Sequence, residues 1–417
     1  MLRTHIKFPS SNASPVGSIS PIAQRSSQTD QCSSLESLSS IDDDIDLEVL
    51  AERLQKLTTD QESDEADQST ANPEDLQDIH TLMSLCNQLC PEDFDEYITS
   101  IISKSTIQKL GEASFSEVFL GTCSLTKEET VYKVIPFGEA ASEVPINDVI
   151  QELRISCAMS TVAGFVKIKG MRIVQGKYPA ALLDAWDEWT NTHETESDRP
   201  DCYTSSQRYC VVMLENGGVD LEHYEVKSWI QARQLLRDIV KTLACGERER
   251  EFEHRDLHWG NILVRDGASK DCEITIIDYT LSRALVHDSL SDIAFYGFTD
   301  RAIFEAEGDD YQFEIYRYMR DIVSDGQDEQ VSEDWTKFHP STNALWTHYL
   351  VDKLLYAKNL SKPVLRVSKR HPIVDEKEVA AWKDLQNLWT LLDPRRKYKI
   401  DERPIDSACR VLELIEA

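Results

Sequence analysis

Basic residues are scarce in this chain: 44 Lys and Arg face 74 Asp and Glu across 417 residues, a formal net charge of −30. Such a deficit argues against a nucleic-acid partner, whose phosphates need cationic contacts. It favours a cationic substrate such as a basic peptide tail, and the same acidity also serves solubility. Paired CxxC motifs are missing and the ten cysteines are scattered. Neither a structural zinc site nor a disulfide framework is therefore expected, and a reducing compartment is the default. No run of eighteen apolar residues occurs, and the opening Met1-Leu2-Arg3-Thr4-His5-Ile6-Lys7 lacks the apolar centre of a signal peptide. Neither a membrane-spanning helix nor secretion by that route is expected.

Residues 1 to 75 lack aromatics apart from Phe8 and are rich in Ser, Asp, Glu and Gln. They cannot bury enough apolar surface to offset their chain entropy, so a disordered acidic extension is expected. From Leu76 the pattern changes. Ile79, Leu82, Met83, Leu85, Cys86 and Leu89 carry helical spacing. Strand-like runs follow at 106–110, 117–120, 130–136, 165–174 and 208–214, with one helical stretch inserted at 146–160. After Glu215-Asn216-Gly217-Gly218 helical periodicity takes over, beginning with the stripe Trp229, Ala232, Leu236, Ile239 and Leu243. Further helices are expected at 311–324, 343–357, 375–392 and 407–415. The expected fold is α+β and bilobal. A small β-rich N-lobe with a preceding helix spans 76–216, and a larger helical C-lobe spans 217–417.

The run Glu253-His254-Arg255-Asp256-Leu257-His258-Trp259-Gly260-Asn261 carries the chemistry. An aspartate with an asparagine five residues on suits phosphoryl transfer in a protein kinase. Asp256 can accept a substrate hydroxyl's proton, and Asn261 can give an amide oxygen to Mg²⁺ on ATP. Thr275-Ile276-Ile277-Asp278-Tyr279-Thr280 then ends an apolar strand with Asp278, the second expected metal ligand. Upstream, Val131-Tyr132-Lys133-Val134-Ile135 sets a lysine among apolar neighbours, where an unpaired ammonium is costly. Glu152 is the expected partner, holding Lys133 on the α- and β-phosphates.

The phosphate loop is expected over residues 110–118, with Gly111 kept but Ala113 and Ser116 at the other two glycine positions. Gly111 and Val118 should border the nucleotide. Adenine is expected between the lobes, with Leu214 at the back of the pocket and Glu215 and Asn216 supplying hinge backbone groups. His254 is expected to bond backbone near the metal-binding turn. His258 stands where most serine/threonine kinases place a phosphate-facing lysine, and it is expected to contact the substrate or the transferred phosphoryl group. Tyr279-Thr280 replaces the usual Phe-Gly, and no Ala-Pro-Glu follows. A site held active without loop phosphorylation is expected.

With these residues in place, the chain resembles the haspin family, divergent eukaryotic protein kinases of mitotic chromatin. The resemblance rests on Asp278-Tyr279-Thr280, Val174-Gln175-Gly176-Lys177-Tyr178-Pro179, Ala185-Trp186-Asp187, Asp198-Arg199-Pro200-Asp201 and Gly217-Gly218-Val219-Asp220-Leu221-Glu222. It continues through Asp310-Tyr311-Gln312-Phe313-Glu314-Ile315-Tyr316-Arg317 and Asn343-Ala344-Leu345-Trp346-Thr347-His348-Tyr349-Leu350. Coverage runs from about residue 77 to the C-terminus. The resemblance implies a kinase for the third-residue threonine of the histone-three tail, acting in the nucleus on mitotic chromosomes beside chromatin-associated proteins. No direct nucleic-acid or membrane contact is expected, and a monomer is. Acidic residues bind the free tail amine and the neighbouring arginine in this family. The matching positions are Asp220, placed beside the nucleotide as well, Glu222 and Asp310. One family acidic position falls on Gly308, so Asp309 or Glu307 is expected to substitute. Two other readings start from the same loop, a small-molecule phosphotransferase and a pseudokinase scaffold on chromatin. The first would lack Asp-Tyr-Thr and the 310–317 block; the second has no need of Lys133, Glu152, Asp256, Asn261 and Asp278 together.

Overall fold

The computed structural model describes residues 73–113, 115–140, 142–195, 197–267, 272–286, 292–324, 333–365, 375–397 and 403–417. Of the expected N-terminal extension, residues 1–72 lie outside the described residues, and Pro73 already opens a helix. Residues Glu74–Ala417 belong to one compact unit.

The N-lobe runs α1 (Pro73–Leu85), β1 (Glu92–Asp93), α2 (Phe94–Ile102), β2 (Ser105–Ala113), β3 (Ser116–Cys123), β4 (Glu129–Phe137), α3 (Ile146–Met159), β5 (Ile168–Gln175), α4 (Ala180–Thr190) and β6 (Arg208–Glu215). Its strands form one sheet in the order β1-β5-β6-β4-β3-β2. Side chains alternate across that sheet with period two. Ile135, Phe137, Cys210 and Val212 pack with Leu82, Met83, Val149 and Leu153 on one face. Val134, Tyr209 and Val211 pack with Phe94, Ile98, Tyr178 and Leu182 on the other. Thus α1 and α3 cover one face, while α2 and α4 cover the opposite one.

Several boundaries differ from the sequence expectation: β2 and β3 run on to Ala113 and Cys123, and two further differences have a local cause. The first helix ends at Leu85, and Leu89 is 88% exposed rather than part of its apolar face. Asn87 takes φ +52°, a left-handed turn that asparagine tolerates and that stops helix propagation. Strand β5 begins at Ile168, because Phe165 and Val166 leave the sheet to join the C-lobe core. There Phe165 bridges to Ile276 and packs edge-on to Phe252.

The C-lobe contains β7 (Val219–Asp220), α5 (Trp229–Arg250), β8 (Ile262–Asp266), β9 (Cys272–Ile276), β10 (Arg283–Leu285), β11 (Ile293–Phe295), α6 (Ala302–Glu305), α7 (Gln312–Val323), α8 (Ser341–Tyr356), α9 (Glu376–Leu392) and α10 (Ala408–Glu416). Helix α5 starts where Ser228 accepts the Gln231 N–H, satisfying an otherwise orphaned donor. Its stripe Ala232, Leu236, Ile239 and Leu243 is fully buried, each large side chain contributing about 2 kcal/mol by transfer from water. Glu251 at φ +44° ends the helix and turns the chain into the catalytic loop. Strands β8 and β9 pair Ile262 with Ile276, so Asn261 and Asp278 flank the same end of one hairpin. The connection from β6 into β7 needs Gly218 at φ +108°, where a Cβ would lie 2.3 Å from the Val264 carbonyl oxygen. Among the described residues no helix is long and apolar enough to cross a membrane.

Candidate active site

Strand pairing sets the first half of the site. Val118 on β3 lies opposite Lys133 on β4, and Gly111 on β2 lies opposite Val118. Helix α3 brings Glu152 to the same place, where Lys133 Nζ meets Glu152 Oε1 at 2.7 Å and Asp278 Oδ1 at 3.8 Å. Burial alone would pull the Lys133 pKa down, but the Asp278 and Glu152 charges outweigh it and hold the pKa above its ordinary value. Burial pushes the Asp278 carboxyl up, while Lys133 and two bonds from Thr280 outweigh that and leave it at about 2. Both groups are therefore charged at neutral pH. The Thr280 hydroxyl donates toward Asp278 Oδ1 at 2.6 Å and lies 3.2 Å from Glu152 Oε2. It joins the two carboxylates where a glycine would leave the turn loose. Asp278 itself has φ +61°, a conformation its surroundings must enforce.

The catalytic loop supplies the second half. His254 is fully buried, and its Nε2 lies 3.0 Å from the Ile277 carbonyl, next to the Asp278 turn. Asn261 Nδ2 donates to the Asp256 carbonyl at 2.9 Å, which leaves its amide oxygen as the free ligand atom. One amide oxygen and one ionised carboxylate, completed by phosphate and water oxygens, form a donor set suited to Mg²⁺. The Tyr316 hydroxyl, from α7, donates to Asp256 Oδ1 at 2.5 Å. Burial pushes the Asp256 carboxyl well above its usual range; the Tyr316 bond opposes this and the Asp278 charge adds to it. A carboxylate made more basic in this way is suited to taking a hydroxyl proton.

Arg255, between His254 and Asp256, is 0% exposed. Its guanidinium pairs with the equally buried Glu253 at 3.1–3.2 Å, donates to the Trp335 carbonyl at 2.9 Å and lies over the Trp335 ring. Many kinases order their activation loop by pairing arginine with a phosphorylated residue. Here a carboxylate within the loop itself occupies the guanidinium.

Comparison with known proteins decides the family. A family model described as "Haspin like kinase domain" matches residues 11–407. The chain is 35% identical over 357 residues to the serine/threonine-protein kinase haspin homolog hrk1 of Schizosaccharomyces pombe, covering 78% of this chain and 68% of that protein. It is 34% identical over 310 residues to serine/threonine-protein kinase haspin of Bos taurus, covering 67% of this chain and 38% of that protein. Against the haspin homolog of Drosophila melanogaster the identity is 31% over 313 residues, 66% of this chain and 52% of that one. The chain belongs to the haspin-like kinase family. It is a bilobal serine/threonine protein kinase, a transferase that uses ATP. The chain spans well under two thirds of the cattle and fly proteins.

The altered loop of this haspin-like kinase is braced by a cluster of charged side chains. Lys109 Nζ, fully buried, bonds Glu112 on β2 at 2.9 Å and also Glu117 on β3, beneath the Trp186 ring of α4. Thr195 bonds Glu112 from above at 2.5 Å. The hairpin that carries Gly111 and Val118 is thus clamped. Leu214 pairs with Val131 and Ile168 and packs against the cores of both lobes. The hinge narrows the expected contacts. The Glu215 N–H is taken by the Lys167 carbonyl, and the Asn216 side chain bonds Glu129 and the Gly218 N–H.

The acidic residues converge next to the catalytic loop. Asp220 accepts two bonds from His223, and Asp310 accepts the Gln312 N–H and pairs with Lys353 at 2.5 Å. The Lys353 ammonium lies over the Trp259 and Tyr349 rings. Glu222 Oε2 is buried without a hydrogen-bond partner, and burial raises the Glu222 pKa. Glu307 and Asp309 are both exposed. Between them, a Cβ on Gly308 would lie 2.3 Å from the Phe313 ring, so no acidic side chain fits there without movement. His258 stands at the usual lysine position without the charge of a lysine. Its Nδ1 accepts the Gly260 N–H at 3.1 Å, and burial pulls its pKa to about 4. A neutral imidazole can donate one hydrogen bond from Nε2 but cannot supply the charge of a lysine.

Four participants escape the sequence reading: Tyr316, Thr280, Lys353 and the Glu253–Arg255 pair. Tyr316, Thr280, Glu253 and Arg255 sit inside quoted motifs, yet their partners lie up to 128 residues away. Only the fold reveals those contacts.

Proposed function

We propose that this haspin-like kinase phosphorylates the third-residue threonine of the histone-three tail, with Mg²⁺ accompanying ATP, on mitotic chromosomes in the nucleus. Bound Mg·ATP supplies the phosphoryl group and the cation that neutralises its developing charge. Asp256 takes the threonine proton, Lys133 held by Glu152 positions the phosphates, and Asn261 and Asp278 hold the metal. Neutral His258 donates to substrate or phosphoryl oxygen. The observation that carries the substrate reading is Glu222, whose buried Oε2 has no partner and sits within the field of Asp220 and Asp310. A buried carboxylate oxygen without a donor is costly, and an incoming guanidinium or ammonium relieves it. The net charge of −30 adds long-range attraction for a basic tail.

The test is a peptide series: the free histone-three tail, a copy with an acetylated amine, and a copy with the second-residue arginine changed to alanine. Both changes should lower kcat/KM, the arginine change by about 10- to 100-fold if it removes a charge-assisted bond. Glu222→Gln should reduce the discrimination. Equal turnover of all three peptides would overturn the substrate assignment.

A further inference from the structure

We propose that Tyr316 is the positioning residue that fixes the Asp256 carboxylate for proton transfer. The inference rests on Asp256 as the base. The Asp256 backbone is held by its N–H to His254 Nδ1 at 3.3 Å and by its carbonyl accepting from Asn261. Those bonds leave the carboxyl group free to rotate. Among the described residues the Tyr316 hydroxyl is its hydrogen-bond donor, meeting Oδ1 and leaving Oδ2 for the substrate hydroxyl. The hydroxyl is itself placed by the core. Tyr316 is 5% exposed, and its ring packs edge-on to Trp346, which is 0% exposed, at 5.3 Å. Its neighbours Ile315 and Met319 on α7 are fully buried, so the helix cannot slide without disturbing that core. The start of α7 is pinned as well, because Asp310 accepts the Gln312 N–H. One rigid helix therefore carries an acidic substrate contact at its start and the support of the base just beyond its first turn. A base displaced by about 1 Å costs on the order of 100-fold in rate, which sets the size of the effect.

The experiment compares the wild type with Tyr316→Phe, Tyr311→Phe and Asp256→Asn in single-turnover phosphoryl transfer to a basic peptide. Nucleotide affinity and Tm are measured alongside. Phenylalanine keeps the ring against Trp346 and removes only the hydroxyl. Tyr311→Phe removes another hydroxyl associated with the same helix, bonded to His348 instead, and controls for loosening. Tyr316→Phe should slow transfer by about 10- to 100-fold, with nucleotide affinity, peptide KM and Tm close to wild type, while Tyr311→Phe transfers normally. A Tyr316→Phe rate within about twofold of wild type, beside an inactive Asp256→Asn, would overturn the proposal. So would equal losses in both tyrosine variants, or a Tyr316→Phe chain that does not fold, since the hydroxyl would then serve the fold. Full activity in Asp256→Asn would instead remove the reading of the base on which the proposal rests.

Discussion

Replacing Glu253 with alanine should destabilise the protein severely. Glu253 is 0% exposed and receives four donors on two oxygens. Oε1 accepts from Arg255 Nη2 at 3.1 Å and from the His339 N–H at 2.7 Å; Oε2 accepts from Arg255 Nε at 3.2 Å and from Thr342 Oγ1 at 2.9 Å. Without the carboxylate, the Arg255 guanidinium keeps the Trp335 carbonyl and ring but loses its ion-pair partner. Its Nη1 already lacks a partner. Removing one member of a buried ion pair costs about 3–5 kcal/mol. Leaving the His339 and Thr342 donors unpaired adds to that, at about 1–3 kcal/mol each before non-additivity. Against a typical folding stability of about 5–15 kcal/mol, this leaves little margin. Urea unfolding followed by tryptophan fluorescence and circular dichroism measures the loss, and Glu253→Gln should fall between wild type and alanine. Kinase activity should fall with stability, because Arg255 leads directly into Asp256. A loss below about 1 kcal/mol, the level of a surface pair, would show that the buried Glu253 contacts contribute little to stability.

The same pair predicts that phosphatase treatment leaves activity unchanged, measured as peptide phosphorylation before and after treatment; abolished activity would mean Arg255 depends on an added phosphate. Thr280→Ala should lower kcat/KM for ATP by about 10- to 100-fold, from losing a bond worth about 1.5–3 kcal/mol to a charged group. An unchanged value would remove Thr280 from the site. His348 gives a pH test. Burial holds its pKa at about 4 in the folded protein, against about 6.5 unfolded. As pH falls below the unfolded value, the unfolded chain takes a proton that the folded one refuses, so stability present above about pH 6.5 is lost down to pH 4. Between pH 7.5 and 5.5 the stability gap between wild type and His348→Gln should narrow by about 1 kcal/mol. A gap independent of pH would show that His348 is free to protonate in the fold.

Local chemistry wrote much of this fold into the sequence. The α5 stripe and the strands around Lys133 follow directly from period and punctuation, and Lys133 meets Glu152 because a charged side chain in an apolar strand needs a partner. The spacing of apolar residues does not announce helices α2 and α4. Helix α2 mixes β-branched residues into a short apolar run, which period alone cannot separate from a strand. Helix α4 lies within a stretch legible only as a family block. The first helix stops short of Leu89 because Asn87 takes a left-handed turn, and β5 starts late because Phe165 packs into the C-lobe core. Within the site, spacing gives no sign that Lys109 joins both strands of the altered phosphate-loop hairpin beside Trp186. Sequence position carries no information about burial, so the neutral state of His258 shows only in the fold. Contacts such as Tyr316 with Asp256 join elements 60 residues apart, and neither residue's neighbours announce the other.

The most direct test of the proposed reaction is transfer from Mg·ATP to a free histone-three tail peptide, with the modified residue mapped by mass spectrometry. The wild type should place a single phosphate on the third-residue threonine, and Asp256→Asn none. Transfer to another residue would contradict the substrate assignment, and transfer that survives Asp256→Asn at the wild-type rate would contradict the mechanism.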